Sequence, residues 1–152
     1  MQARLEWTGK VVLVTGGTKG IGRCIAETFR DAGAQVVVCA RRPPAPSTEP
    51  EGLHFVAADV RDRDEADRLI GYCSEKLGRL DVLVNNAGGS PAVETSTVSP
   101  RFSSSIVDLN LLAPLYLSQQ ANLVMQAQPT GCLLYTSPSP RDQRGSRMPS
   151  SA

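Results

Sequence analysis

The sequence predicts an α/β fold: a doubly wound parallel sheet with helices on both faces, in three αβα layers. Four short runs are apolar at nearly every position and rich in β-branched residues, and helical patterns separate them. The runs are VVLV, QVVVCA, LHFVAA and DVLVNN, at 11–14, 35–40, 53–58 and 81–86. Strands that are apolar throughout are covered on both faces, as in parallel sheets. Alternation of strands and helices with short connections predicts right-handed βαβ units.

The first helix is predicted directly after the first strand. Ile21, Ile25, Phe29 and Ala32 recur at helical spacing and therefore line one apolar face. Gly33 is placed to end this helix in a left-handed conformation, which glycine adopts without a steric penalty.

The second helix is predicted after the third strand. Asp62 and Glu65 have capping-box spacing at its start, and Gly78 suits its end. Its apolar stripe consists of Ala66, Leu69, Ile70, Cys73 and Leu77.

A third, longer helix is predicted from near Arg101 to near Gln126. Pro114 is expected to kink it, because proline cannot donate the helical hydrogen bond and its ring clashes with the preceding turn. Its apolar face consists of Phe102, Ile106, Leu109, Ala113, Leu117, Ala121 and Val124.

The segment RRPPAPSTEPEG, at 41–52, interrupts this regular pattern. A doubly wound fold would normally have a helix there, but the segment contains four prolines. We therefore expect an irregular surface loop.

Composition excludes several classes of protein. The chain of 152 residues suits one domain, and a formal net charge of +1 favours neither a nucleic-acid nor a membrane partner. The four cysteines form no CxxC pair, so we expect no metal site and reduced thiols. The polar N-terminus and the absence of a long apolar run predict a cytoplasmic protein.

A glycine-rich turn joins the first strand to the first helix. It reads TGGTKGIG and has the pattern TGxxxGIG, carried by Thr15, Gly16, Gly20, Ile21 and Gly22. The first glycine permits a tight turn, the second lets backbone approach a pyrophosphate, and the third lets helix and sheet pack closely. The helix N-terminus then offers free N–H groups to phosphates. The turn therefore predicts dinucleotide binding, with Thr18 and Lys19 inside the binding loop.

This motif resembles that of the short-chain dehydrogenase/reductase family, and the resemblance covers roughly residues 8–131. It implies a Rossmann-type sheet, here truncated after the long helix. It also implies that Asp59 and Val60 hold the adenine ring, with Asp59 accepting from the exocyclic amine.

Two further segments match the family in order. Asn85 begins its NNAG segment, in which the resemblance places Asn86, Ala87 and Gly88 beside the ribose and nicotinamide. Asn110 matches the catalytic asparagine of the long helix. Alone, each segment is also consistent with an ordinary loop or a satisfied polar residue.

The residues after the second strand indicate which nicotinamide cofactor is preferred. An acidic residue about 20 positions after the glycine turn favours NAD(H), but this chain has Arg41 and Arg42 there. A guanidinium suits a 2′-phosphate, and Lys19 can add a second charge. We expect NADP(H) to be favoured over NAD(H), with Arg41 as the main contact; solvated surface charges are the alternative.

The family resemblance implies an oxidoreductase that transfers a hydride between nicotinamide and a carbonyl or alcohol substrate. The expected Ser and Tyr-x-x-x-Lys do not follow the long helix, so Asn110 is the one member of the catalytic set, and this chain is expected to be inactive. A non-catalytic dinucleotide-binding module and an inert fragment are alternatives. The resemblance also implies a homo-oligomer for the full-length parent, with apolar surface of the long helix exposed here.

The segment 132–152 differs in kind from the rest of the chain. CLLYTSPSPRD at 132–142 and SRMPSSA at 146–152 resemble the translation of a sequencing adapter. We therefore expect 1–131 to be an incomplete NAD(P)-binding domain and 132–152 to be an artefactual or disordered tail.

Overall fold

The computed structural model describes residues 6–44, 52–94 and 96–129. The expectations for 132–152 and for most of the proline-rich loop lie outside the described residues; the described parts of that loop, 41–44 and Gly52, are not helical. Within the described ranges, no helix is long and apolar enough to cross a membrane.

Four parallel strands form one sheet, as the apolar runs predict. They are β1 (Val11–Thr15), β2 (Gln35–Ala40), β3 (His54–Ala57) and β4 (Val82–Val84). The spatial order is β3-β2-β1-β4, with Val11 of β1 paired to Gln35 and Val12 to Val82. From β1 to β3 each new strand is added on one side of β1, and β4 is then added on its other side. The order in which strands are added therefore reverses between β1 and β4. In open α/β sheets, a crevice for ligands forms at such a switch point, beyond the carboxyl ends of the strands.

Both faces of the sheet are covered, which confirms the three-layer prediction. On one face, α1 (Gly20–Asp31) packs its Ala26 against valines of β1 and β2. On the other face, α2 (Arg63–Gly71) and the last helix, α4 (Ala113–Ala127), pack against Leu13 and its neighbours. Every residue of β1 is buried, since a central strand has helices above and below it.

The predicted end of the first helix at Gly33 and the predicted start of the second at Asp62 are confirmed. Gly33 has φ +97°, and its N–H donates to Arg30 O at 2.8 Å after the last turn of α1. Asp62 caps α2 by accepting from Glu65 N at 3.0 Å. The Glu65 carboxylate, however, accepts from the backbone N–H of Asp59, so the reciprocal half of the capping box is not formed. A π-helical turn, Tyr72–Lys76, extends α2.

The long helix is not the single kinked helix that the sequence predicts. It consists of α3 (Pro100–Val107), a π-helical turn at Asp108–Leu112, and α4. Pro114 lies at the start of α4 and has no N–H to donate to the carbonyl of Asn110. The missing bond is consistent with a local change to the wider π geometry.

The inner face of the long helix is buried mainly along α4, at Ala113, Leu117, Ala121 and Met125. Its outer face exposes large apolar side chains, as expected. These are Val107, Leu111, Leu112, Leu115 and Leu123.

Candidate functional site

A cleft of about 550 Å³ opens at the carboxyl edge of the sheet, at the switch point. It brings together segments that are far apart in the sequence: the glycine-rich turn, the end of β2, and the loops after β3 and β4. Most of the candidate site residues singled out from the sequence line it; Thr15, Arg42, Asn85 and Asn110 do not. The lining members of that set are Gly16, Thr18, Lys19, Gly20, Ile21, Gly22, Arg41, Asp59, Val60, Asn86, Ala87 and Gly88.

The glycine-rich turn is shaped by close backbone approaches. Gly16 has φ +65°, a conformation that favours glycine, and its N–H donates to Cys39 O at 2.9 Å. A Cβ on Gly22 would lie 2.4 Å from Gly16 O and 2.3 Å from Asn86 Nδ2. No side chain is therefore tolerated at Gly22 without displacing the turn.

The N-terminus of α1 faces this turn. Its N-cap residue, Lys19, makes no side-chain capping bond, and the first turn of α1 contains no acidic residue. The first N–H groups of the helix and the positive end of its dipole are therefore not neutralised by side-chain caps. This arrangement is suited to a phosphate.

Thr15 lies behind the cleft lining and is buried. Its hydroxyl donates to Val84 O at 3.3 Å and accepts from the backbone N–H groups of Asn86 and Ala87, both at 3.0 Å. The side chain of Thr15 therefore fixes the loop after β4 against the end of β1.

Asn86 joins the same two loops from the other side. Its Nδ2 donates to Thr15 O at 3.0 Å and to Gly16 O at 3.2 Å. Because the side chain of Asn86 occupies the space beside Gly22, the turn and the loop after β4 form one packed unit.

Asn110 lies in the second π-helical turn rather than in the cleft lining. Its Nδ2 donates to Gly89 O at 3.0 Å and to Ile106 O at 2.9 Å, and its Oδ1 accepts from Gly89 N at 2.9 Å. A Cβ on Gly88 would lie 2.9 Å from Asn110 Oδ1. Asn110 therefore fastens the loop after β4 to the long helix.

A second cleft of about 610 Å³ adjoins the first at the end of β2. Three cations line it, Lys19, Arg41 and Arg42, and none of the described residues in its lining is acidic. Within residues 6–44, 52–94 and 96–129, none of these cations forms an ion pair with a carboxylate. The arrangement is therefore electropositive and suited to an anion.

Arg61 lines the main cleft and was missed by sequence reasoning. Its guanidinium pairs with Asp59, and its Nη1 donates to Ser105 Oγ of α3. Hydrogen bonding from Arg61 holds the pKa of Asp59 below its usual range, against the opposing effect of burial. The sequence does place an acidic and a basic residue two positions apart, at Asp59 and Arg61. Whether they pair depends on the conformation of the loop after β3, which the sequence pattern does not predict.

Cys39 contributes a buried thiol to the lining of the cleft. Burial raises its pKa to about 11, so the thiol is protonated at neutral pH. Nucleophilic chemistry requires the thiolate, so the thiol acts as a packing group. In the described part of the chain, no cluster of His, Cys, Asp and Glu is arranged to hold a metal ion.

The chain does contain one Tyr-x-x-x-Lys spacing, Tyr72 to Lys76, on the π-helical turn after α2. The Tyr72 hydroxyl lies 3.4 Å from His54 Nδ1, and His54 is the first residue of β3. This tyrosine is therefore at the amino edge of the sheet, opposite the cleft. It does not supply the proton donor that the family resemblance calls for after the long helix.

Comparisons with known proteins agree with this geometry. The family model described as short chain dehydrogenase matches residues 10–145. An L-fucose dehydrogenase of Oryctolagus cuniculus is 37% identical over 126 residues, covering 80% of this chain and 44% of that protein. Tropinone reductase-like 2 of Erythroxylum coca is 36% identical over 142 residues, covering 88% of this chain and 51% of that protein.

Solved structures show the same likeness. The aldohexose dehydrogenase of Thermoplasma acidophilum superposes with a TM-score of 0.71 at 33% identity, covering 78% of this chain and 45% of that one. A short-chain dehydrogenase of Streptomyces avermitilis gives 0.70 at 32% identity, covering 80% and 46%. The chain belongs to the short-chain dehydrogenase family, whose members bind nicotinamide dinucleotides. It spans about half the length of the curated relatives it matches.

Proposed function

We propose that the intact protein is an NADP(H)-dependent oxidoreductase acting on a carbonyl or alcohol substrate, and that this chain carries its cofactor-binding part. The dinucleotide supplies the hydride when bound, and the protein supplies binding and orientation. The described residues fit such a cofactor, because the cleft combines a glycine cradle at Gly22, an uncapped helix N-terminus and a continuous lining from Arg41 to Gly88.

The observation that carries the NADP(H) preference is the trio of cations at the end of β2. Lys19, Arg41 and Arg42 surround the second cleft, where an NAD(H)-preferring site would present a carboxylate to the ribose hydroxyls. A 2′-phosphate adds negative charge at this place and accepts charge-assisted hydrogen bonds from guanidinium groups. The three cations therefore favour the phosphorylated cofactor and leave the unphosphorylated one without a matching partner.

The remaining residues have distinct roles in this proposal. The backbone of Gly16–Gly22 and the N-terminus of α1 bind the pyrophosphate. Asp59 and Val60 hold the adenine edge. Asn86, Ala87 and Gly88 border the nicotinamide side, with Thr15 holding their loop in place.

Asn110 is the catalytic candidate of this chain. Its side chain makes three hydrogen bonds to Gly89 and Ile106, so it holds the loop that would border the nicotinamide against the long helix. Pro114 has no N–H to donate to the carbonyl of Asn110, so the regular helical bond to this carbonyl is not formed.

The test is a fluorescence titration of the chain with NADPH and with NADH, on the wild type and two variants. We expect tighter binding of NADPH, and a loss of roughly tenfold to a hundredfold for NADPH in Arg41→Ala, as for one charge-assisted bond. NADH affinity should change little. Lys76→Ala is the matched control, because Lys76 is an exposed cation after α2, away from the cleft.

Two results would contradict the proposal. Equal affinity for NADPH and NADH in the wild type would refute the preference. Equal losses for both cofactors in Arg41→Ala would show that Arg41 supports the fold rather than a 2′-phosphate.

A further inference from the structure

Gly17 lies in the glycine-rich turn but is not one of the residues that carry the pattern TGxxxGIG. It is buried, and its φ is negative, so its backbone conformation does not by itself require glycine. The space around it does. A Cβ on Gly17 would lie 2.5 Å from Cγ1 and 2.9 Å from Cβ of Val38, and 3.0 Å from Val14 O. Non-bonded carbon atoms pack at about 3.5–4.0 Å, so the turn would have to shift.

Val38 is held in place and cannot easily give way to a side chain at position 17. It is fully buried in the cluster under α1, and its neighbours in the sheet are Val14 of β1 and Phe55 of β3. A β-branched side chain also has few χ1 rotamers to choose from. The contact between Gly17 and Val38 is therefore a rigid stop for the turn on β2.

A hydrogen bond joins the same two segments beside this contact. Gly16 N donates to Cys39 O at 2.9 Å. The hydrogen bond holds the turn to β2, and the packed atoms of Gly17 and Val38 set how closely the turn can approach the strand.

The two segments joined in this way carry the cations of the second cleft. Lys19 follows Gly17 by two residues in the turn, and Arg41 follows Val38 by three residues at the end of β2. Lys19 and Arg41 line both clefts. Since each cation is carried by one of the two segments, the separation of the segments sets the separation of the cations.

We propose that Gly17 determines specificity for the 2′-phosphate, because a glycine lets the turn lie directly on Val38. In that position Lys19 and Arg41 can bind one phosphate group together. The pyrophosphate contacts the turn, whereas a 2′-phosphate contacts both the turn and the end of β2. A shift of the turn away from β2 therefore weakens the phosphorylated cofactor more than the unphosphorylated one. The inference rests on the proposed function, because it takes NADP(H) as the ligand of the two clefts.

The experiment is a double-mutant cycle, measured by fluorescence titration with NADPH and with NADH. Its variants are Gly17→Ala, Val38→Ala and the combination of the two. Val36→Ala, alone and combined with Gly17→Ala, is the matched control. Val36 is a fully buried valine of the same cluster and the same face of β2, but the three atoms nearest to a Cβ on Gly17 belong to Val38 and Val14. Thermal melting reports whether each variant is folded.

Gly17→Ala should lower NADPH affinity roughly tenfold, as for the loss of one charge-assisted hydrogen bond, and NADH affinity by no more than about threefold. The ratio of the two affinities should therefore fall. Adding Val38→Ala removes the atom at 2.5 Å and leaves the approaches at 2.9 and 3.0 Å, so most of the ratio should return. Adding Val36→Ala should return none of it.

The two valine variants alone serve as the reference for a general loss of packing. Val38→Ala and Val36→Ala should both lower the melting temperature, because each deletes buried methyl groups. Both should keep the wild-type ratio of NADPH to NADH affinity.

Failure of the proposed function and failure of this inference give different results. If the wild type binds neither cofactor, or binds both equally, the proposed function fails and the inference with it. If the wild type prefers NADPH but Gly17→Ala keeps the ratio, only the inference fails. It also fails if Gly17→Ala/Val38→Ala recovers no more of the ratio than Gly17→Ala/Val36→Ala.

A second pair of variants decides the matter if Gly17→Ala does not fold. Val38→Ile and Val36→Ile each add one methyl group to the same face of β2, and only the first adds it next to Gly17. A lower ratio in Val38→Ile than in Val36→Ile supports the inference, and a ratio that is not lower overturns it.

Discussion

Charged side chains are paired differently at the two edges of the sheet. At the amino edge, Asp81 is buried and accepts from Val11 N at 2.9 Å, from Arg79 at 2.6 Å and from Lys10 at 3.3 Å. At the carboxyl edge, Lys19, Arg41 and Arg42 line the second cleft and form no ion pair with a carboxylate of the described residues.

This difference indicates that charged groups at the amino edge serve stability and that those at the carboxyl edge are suited to binding a ligand. Asp81 joins the starts of β1 and β4, and its charge is satisfied within the protein, so it has little capacity to bind anything else. At the other edge, the fold brings Lys19, Arg41 and Arg42 together without an ion pair to a carboxylate of the described residues. A like-charged cluster is unfavourable in isolation and is relieved by an anion, which is the behaviour expected of a binding site.

The largest expected effect is on stability and comes from the amino edge. Asp81→Asn should lower the free energy of unfolding by about 3 kcal/mol, because it removes a buried charge from Lys10 and Arg79 and weakens the acceptor for Val11 N. Urea denaturation measures the change. NADPH affinity of the folded variant should be unchanged; a selective loss of affinity without a loss of stability would contradict the separation of the two edges.

The same residue predicts a pH dependence. Burial opposes ionisation of Asp81, but hydrogen bonds from Arg79, Val11 and Lys10 outweigh it, so its pKa is lowered. Because the pKa of Asp81 is lowered by folding, the ionised carboxylate stabilises the folded state at pH values above the ordinary aspartate pKa. This stabilisation is lost as the pH falls through the pKa of Asp81 in the folded state. The stability difference between wild type and Asp81→Asn should therefore be full at neutral pH and shrink in acid. A difference that grows in acid would contradict this assignment.

A smaller effect on stability, with a clear effect on binding, is expected at the carboxyl edge. Gly22→Ala would place a Cβ 2.4 Å from the backbone oxygen of Gly16, so the turn must shift, at about 1–3 kcal/mol. NADPH affinity should fall at least about tenfold, since the shifted turn is the phosphate cradle.

Gly71→Ala is the matched control for this change. A Cβ at Gly71 would lie 3.6 Å from Glu75 Oε1 and 3.9 Å from Glu75 Cδ, which are ordinary contacts, and α2 should gain up to about 1 kcal/mol in helix propensity. The NADPH affinity of Gly71→Ala should equal that of the wild type. A Gly22→Ala variant that binds NADPH as tightly as Gly71→Ala would show that the turn is not the cradle.

Much of this architecture follows from local sequence signals. The four strands were predictable because a strand covered on both faces must be apolar at every position, and the ends of α1 and α2 because Gly33 and Asp62 act through local backbone geometry. The glycine-rich turn was predictable for the same reason, since Gly16 and Gly22 are required by close approaches of backbone.

Other features depend on tertiary geometry that periodicity does not encode. The π-helical turn at Asp108–Leu112 shifts the helical register without changing the apolar pattern, so the sequence predicts a kink at Pro114 instead. Glu65 reaches Asp59 rather than Asp62, and Arg61 pairs with Asp59, because the loop after β3 folds back toward α2 and α3. Charged side chains have several possible partners in a sequence, and the fold selects among them.

In the proposed function, the carboxyl edge binds a dinucleotide, whereas the amino edge only stabilises the sheet. The most direct test is the ¹H–¹⁵N spectrum of the chain with and without NADPH. We expect amide shifts at Gly16–Gly22, Arg41 and Asn86, and essentially none at Val11 or Asp81. Shifts centred on Val11 and Asp81, or no shifts anywhere at saturating NADPH, would contradict the account.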